Sequence, residues 1–504
     1  MRISPRVLVL FALVWLLWAP VQSHAAPTSR STEKSRGQGK KKSTPPRSAP
    51  IVHRAAPERP HIPATLSFPV VQHRLPSGMR VILQPDSTTT AVAVSLAYRA
   101  GSSQEAEGEY GFSSALREHL RAAQPAASTS VQYTPDLLQF TTVVLPSRLA
   151  NALWREAHRI HRPIRQTGAI ALRNHLDFPP SPSVRAQTLA FQGCSPYGHL
   201  AHGWTPDLQQ ASAEYLDAYR RRWAQPALAA LAVAGAFDPD AVLEQVQQYF
   251  APIPSSAIPS DPPIVLPDQT NQRVDIDRFD TPVPQVFLYG WAVPPAGHAD
   301  LAAIRLLIEL FVDRPDTIGS RHSPRLAKLS TEASVSMELE ERKGPSWLTF
   351  RVDLPANVDM DATRKVVDDA FLDLVQHGPT QEELDAGWRA AQRRLLRSVE
   401  RVEGRASLLA RSALLRDDAI EFFEQPAQLA AVRREDVQRV ARQILSPIRR
   451  NLVEIRGPRI DSPKKAEQIQ KPNPLPSHGS KQPASKKKQP TKQGAPRRSN
   501  KPSR

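Results

Sequence analysis

At 504 residues the chain exceeds what one ordinary hydrophobic core organises, so two folded domains with extensions are expected. Its formal charge of +17 is uneven: residues 27–60 carry nine Lys/Arg against two acids and residues 459–504 thirteen against two, which with Arg2 and Arg6 leaves the body at −3. A near-neutral body with basic ends excludes a nucleic-acid-binding domain, whose basic face belongs to the folded part. A single cysteine, Cys194, excludes an intrachain disulfide and reads as a buried thiol.

The N-terminus has the parts of an export signal over residues 1–25. Arg2 and Arg6 form the basic region, "VLVLFALVWLLWA" the apolar core, and "SHA" before Ala26 the small-residue cleavage site. The apolar run is about 13 residues, against about 20 for a membrane span. The expected location is therefore the periplasm or cell envelope, with an uncleaved anchor as the alternative. Residues 26–66 read as a disordered, basic, Pro-rich linker and residues 459–504 as a tail of the same character, because proline and like charges both oppose packing.

Between these ends the pattern becomes globular. "HRLPSGMRVILQP" has the grammar of a hairpin, and "AVAVSLAYRA" alternates Val92, Val94, Leu96 and Tyr98 as a strand with one buried face. A helix follows from about Ser113, with Ser113 or Ser114 as its cap and Leu116 and Leu120 toward the core. "LLQFTTVVLP" is a strand and "PSRLANALWREAHRIH" a helix, with Leu149, Leu153 and Ala157 at four-residue spacing. "SAEYLDAYRRRWA" and "DPDAVLEQVQQYF" are helices bracketing the strand "ALAALAVAGAF".

Residues 252–270 are dense in proline and read as the connector between a domain over 67–251 and another over 271–458. The second repeats the style of the first. Strand "PQVFLYGWAV", helix "DLAAIRLLIELF", strands "EASVSMELEER" and "SWLTFRVDLP", and three long helices follow in order. The expected fold is α+β: two similar domains, each an antiparallel-rich sheet packed with helices, with an internal duplication consistent with the repeated order.

Several stretches in sequence order resemble the insulinase and pitrilysin family of zinc metallopeptidases in its bacterial two-domain form. They cover roughly residues 67–458. The first runs from "LPSGMRVILQP" through "GFSSALREHL"; "SPYGHLAHGWTPDL" is similar to the family's His-Pro-Tyr-Gly-His stretch, with Ser195 in first place. "YLDAYRRRWAQPALAALAVAGAFDPD" matches the close of its first domain, with Ala236 where Asp usually stands, and "GPTQEELDAGWRAAQRRLLRSVERVEGRASLLARSALL" resembles the long helices of its second.

The resemblance implies a zinc helix of pattern H-x-x-E-H. Two histidines on one helical face take two corners of a tetrahedral zinc, a downstream Glu gives a third ligand, and the Glu of the motif acts as general base. Here the motif is Ala115-Leu116-Arg117-Glu118-His119. Glu118 keeps the base position and His119 the second ligand position; a methyl at Ala115 cannot coordinate. The third ligand position falls on Asn174 in "GAIALRNHLDF", with neighbouring His175, alongside Asp177, as a substitute ligand in a rearranged site. The substrate-pairing strand edge lacks its Asn at Ala126. Of the substrate-holding Arg and Tyr in the second domain, Arg325 fills one place and Ala333 or Ser334 the other. His199 and His202, beside Tyr197 and Trp204, read as loop packing.

The leading expectation is an exported, non-catalytic homologue with no cofactor, paired as a hetero- or homodimer with an insulinase-like peptidase subunit, or enclosing peptides in a chamber. An active zinc endopeptidase with a rearranged site is the first alternative. A cell-envelope scaffold whose basic tails hold anionic polymers is the second. No phosphate loop, CxxC pair or Gly-x-Ser-x-Gly elbow supports another enzyme class.

Overall fold

In the computed structural model the described residues are 68–123, 129–165, 180–194, 196–201, 203, 205–266, 268–312 and 324–458. All lie in the compact unit Arg59–Arg504. The strands are β1 Val71–Arg74, β2 Arg80–Pro85, β3 Val92–Tyr98, β4 Thr129–Tyr133, β5 Leu138–Val144, β6 Ala229–Gly235, β7 Arg273–Arg278, β8 Gln285–Val293, β9 Ser334–Glu340, β10 Ser346–Leu354 and β11 Asn451–Arg456. The helices of the first half are α1 Phe112–Ala123, α2 Leu149–His161, α3 Pro182–Ala190, α4 Thr205–Gln210, α5 Ala213–Trp223 and α6 Pro239–Phe250. Those of the second are α7 Asp300–Glu309, α8 Met360–His377, α9 Gln381–Glu400, α10 Val402–Leu415, α11 Gln425–Ala431 and α12 Arg434–Ile444.

The two sheets share one topology. The first runs β1-β2-β6-β3-β5-β4 and the second β7-β11-β8-β10-β9. Setting aside β1, each pairs its first strand parallel to its last, β2 with β6 and β7 with β11, and every other neighbour antiparallel. The expected α+β class holds, and the matched strand order carries the duplication that sequence only hinted at.

Each sheet buries both faces, and the residue sizes show how. In β6, Leu231 and Val233 point into the first core with Val94, Leu96, Leu116 and Leu153. The alternating Ala230, Ala232 and Ala234 face the other way, toward α10 and its Ala406, Ala410 and Ala413. Small residues on both sides let α10 settle onto β3, β5 and β6. The mirror arrangement occupies the second sheet. There Leu288, Trp347 and Val453 meet Ala186 and Ala190 of α3, Phe191 and Cys194, while Tyr289, Phe350 and Leu452 fill the second core. Each half thus covers its partner's sheet with one of its own helices.

Polar anchors fix both helices. Arg405 of α10 donates to Gln84 at 2.9 Å and to Asp86 at 2.7 Å. On the other side Arg185 of α3 pairs with Asp275 at 2.6 Å and with Asp277 of β7. The sequence reading missed α3, whose only buried helical residues are alanines. It also missed β7, β11, α4, α11 and α12, and of β4 it had only the strand edge that the resemblance implied. Among the described residues no helix is long and apolar enough to cross a membrane.

Candidate functional site

Helix α1 forms because Phe112, Ala115, Leu116 and Leu120 recur along one face, all buried against the first sheet. Its N-terminus is not capped by Ser113 or Ser114 as expected. Glu105, in the preceding loop and 2 % exposed, accepts from the Gly111 and Ser113 amides, both at 2.8 Å, and satisfies the free N–H groups of the first turn. Its carboxylate also accepts from the Ser113 hydroxyl and bonds His199 Nε2 at 3.0 Å. Burial pushes the Glu105 carboxyl up, against the lowering pull of His199 and Ser113. Tyr110 stacks on His199 at 4.3 Å, and Tyr133 bonds Ser113 at 2.6 Å. His199 therefore works as loop packing, as expected. Glu105 escaped notice because its partner lies 94 positions downstream.

The remnant motif is occupied by its neighbours. Ala115 is 5 % exposed and packs in the core. Glu118 accepts from Arg117 Nε at 3.0 Å with one oxygen and from Arg121 at 2.8 and 3.0 Å with the other. Burial alone would raise its carboxyl, but Arg121 and Arg117 overcome that and hold it below the usual range. A carboxylate so held is a weaker base than a free one. His119 is half-buried; burial first, then the charges of Arg162 and Arg220, lower its pKa, with Asp217 opposing.

Zinc is the metal the sequence resemblance implies, and these residues do not fit it. The first ligand position is a buried methyl, both Glu118 oxygens are committed to guanidinium groups, and His119 sits in the field of two arginines, which repel a cation. Among the described residues no three His, Cys, Asp or Glu side chains converge to hold a metal ion. Asn174, His175 and Asp177 lie outside the described residues, as do Ala126, Ser195, His202 and Trp204.

Arg325, which the resemblance made a substrate contact, has a side chain 7 % exposed that pairs with Asp373 at 2.6 Å and Glu383 at 2.7 Å. It ties a short turn to α8 and to the start of α9. Ala333 is buried and Ser334 begins β9.

The loop that carries His199 also joins the halves. Buried Asp136 accepts from Ser103 at 2.8 Å, Tyr197 at 2.9 Å and the Lys343 amide at 2.6 Å, while Tyr197 accepts from the Gly344 amide at 3.2 Å. Arg342, fully buried, bridges Glu340 at 2.6 Å to Gln187 of α3 at 2.7 Å. Cys194 is buried beside this network, and burial raises its thiol.

The duplicated α+β unit with matched strand order in its two sheets is a fold that solved structures share. Residues 210–390 match the family model described as the peptidase M16 inactive domain. A protease from Helicobacter pylori shares the fold with a TM-score of 0.67 at 17 % identity, over 77 % of this chain and 100 % of its own. A peptidase M16 inactive domain from Pseudomonas fluorescens gives 0.66 at 16 %, over 78 % and 98 %. The periplasmic protease PqqL from Escherichia coli gives 0.61 at 15 %, over 78 % of this chain but 48 % of its own, so the chain spans about half its length. No curated protein matches the sequence. Residues 210–390 thus carry the match to that family model, and the fold is shared with these solved structures.

Proposed function

We propose that this chain is an exported, non-catalytic M16 homologue that serves as partner subunit to an active zinc peptidase, enclosing peptides without cutting them. The observation that carries this reading is Glu118: the one residue in the base position is clamped by Arg117 and Arg121 on the same helix whose first ligand position is Ala115. Pairing draws on the description of the family model that residues 210–390 match, an inactive domain, which leaves any cutting to another unit. Export is supported by the basic and apolar N-terminus and by the periplasmic setting of PqqL.

Hydrolysis of unstructured fluorogenic peptides by the purified mature chain tests this, alone and with an M16 peptidase encoded beside it. Alone, the chain should give no chelator-sensitive cleavage. With the partner it should form a heterodimer more active than the partner by itself, because the second subunit completes a water-excluding enclosure. Chelator-sensitive cleavage by the chain alone, lost in Glu118→Gln, overturns the reading.

A further inference from the structure

The second half contains a cavity of about 260 Å3, bounded by α7, α9, α10 and the edge strand β9. α7 follows β8 as α1 follows β3, and β9 holds the edge that β4 holds in the first sheet. The cavity is thus the counterpart, in the second half, of the angle between the motif helix and its edge strand.

One wall is charged and not neutral. Arg305 and Arg416 flank Glu341, and Arg394 pairs with Glu309 at 2.8 Å. Glu421 lies 3.7 Å from Arg416. Arg411 is left over: it donates to the Glu341 backbone carbonyl at 3.2 Å, and among the described residues no carboxylate comes within ion-pair distance of it. A half-buried guanidinium without a counter-ion carries a desolvation cost that an incoming anion relieves. Gln425, 7 % exposed, lines the same cavity, and its side-chain amide makes no hydrogen bond among the described residues. The remaining wall is apolar, with Leu395, Leu408, Leu415 and Phe422.

We propose that this cavity binds a small carboxylate with an apolar tail. Arg411 supplies the charge partner, Gln425 a second polar contact, and the leucines the tail channel. The volume falls below the roughly 300–1,000 Å3 of sites for drug-sized ligands, so it takes a short aliphatic acid or the last residue of a peptide with a free C-terminus, not an extended peptide. The site is independent of whether the first half cuts.

Calorimetric titration of the full mature chain tests this with butanoate, pentanoate, hexanoate, hexanamide and acetyl-glycyl-leucine. Hexanoate should bind saturably at one site, and each methylene from butanoate upward should tighten binding by about fourfold. Hexanamide should bind at least about tenfold more weakly. Arg411→Gln should lose a similar factor, while Arg411→Lys retains most affinity. Leu408→Trp, which fills the cavity while keeping the Arg411 guanidinium in the chain, should abolish binding and decides the matter if Arg411→Gln does not fold. Tighter binding of acetyl-glycyl-leucine than of hexanoate assigns the source as a peptide C-terminus; the reverse assigns a free acid. Equal affinity for hexanamide, no binding of either acid, or hexanoate binding that survives Leu408→Trp overturns the proposal.

Discussion

Arg405 and Asp86 meet at 2.7 Å across 319 positions of sequence, and the same guanidinium bonds the fully buried Gln84 at 2.9 Å. The contact pins α10 of the second half onto the first sheet. Arg405→Ala leaves a buried amide and a carboxylate without their donor, so it should cost about 2–4 kcal/mol of stability by denaturant titration. A loss below about 0.5 kcal/mol would mean the helix is held by its alanine face alone.

The reciprocal contact tests differently. A Cβ added at Gly290 of β8 would lie 2.3 Å from the Trp347 ring, so the indole must move off the face that α3 covers. Gly290→Ala should therefore destabilise by about 1–3 kcal/mol, read as a lowered melting temperature. An unchanged melting temperature would show that Trp347 repacks freely.

Glu341 sets a pH dependence. Burial would raise its carboxyl, but Arg305 and Arg416 overcome that and hold it at about 2, below an ordinary value of 4.5. A carboxyl lowered on folding contributes stability that is complete above the unfolded value and lost as pH falls toward the folded one. Stability should therefore decline between about pH 4.5 and 2. Glu341→Gln should be less stable at pH 7 and show a shallower decline, measured by denaturation across that window.

The motif helix makes a prediction about metal. Mature protein dialysed after purification should hold well under one equivalent of zinc by elemental analysis. Ala115→His with Asn174→Glu should raise zinc binding by at least about tenfold, at a cost of about 1–3 kcal/mol, because the new imidazole enters a packed site. Stoichiometric zinc in the unmodified chain, lost on His119→Ala, would be the contrary result.

Residues 459–504 carry thirteen Lys/Arg against two acids and few large apolar side chains. Their deletion should shift the melting temperature by less than about 1 °C and weaken binding to anionic polymers, with that binding falling as salt rises. A large drop in melting temperature would mean that this segment packs on the body.

Much of the fold was legible where one residue pattern fits one environment. Val92, Val94, Leu96 and Tyr98 alternate because that face of β3 meets the first core, but the other face, read as open, is buried under α10 through Ala93 and Ala97; Thr380 with Glu383 forms a capping box at the start of α9. α3 was not legible, because a helix lying on a sheet through Ala186 and Ala190 has too few large apolar side chains to show a period. The loss of Ala115 as a ligand could be read from one position. The clamp on Glu118 needed coordinates, since arginines one and three residues away also fit a solvated helix face. Glu105 was invisible for a different reason: a buried carboxylate looks like a surface one until its distant partner is placed.

The exchange of α3 and α10 bears on what can exist by itself. A chain severed in the connector would give two fragments, each with one sheet face stripped of the helix that shields it. Those surfaces would be apolar, alanine-rich on the first sheet and formed by Leu288, Trp347 and Val453 on the second, and each fragment carries the helix that fits the other. A half-length ancestor with this topology would have met the same need by trading helices with a copy of itself, so tandem joining would have made a pre-existing dimer permanent.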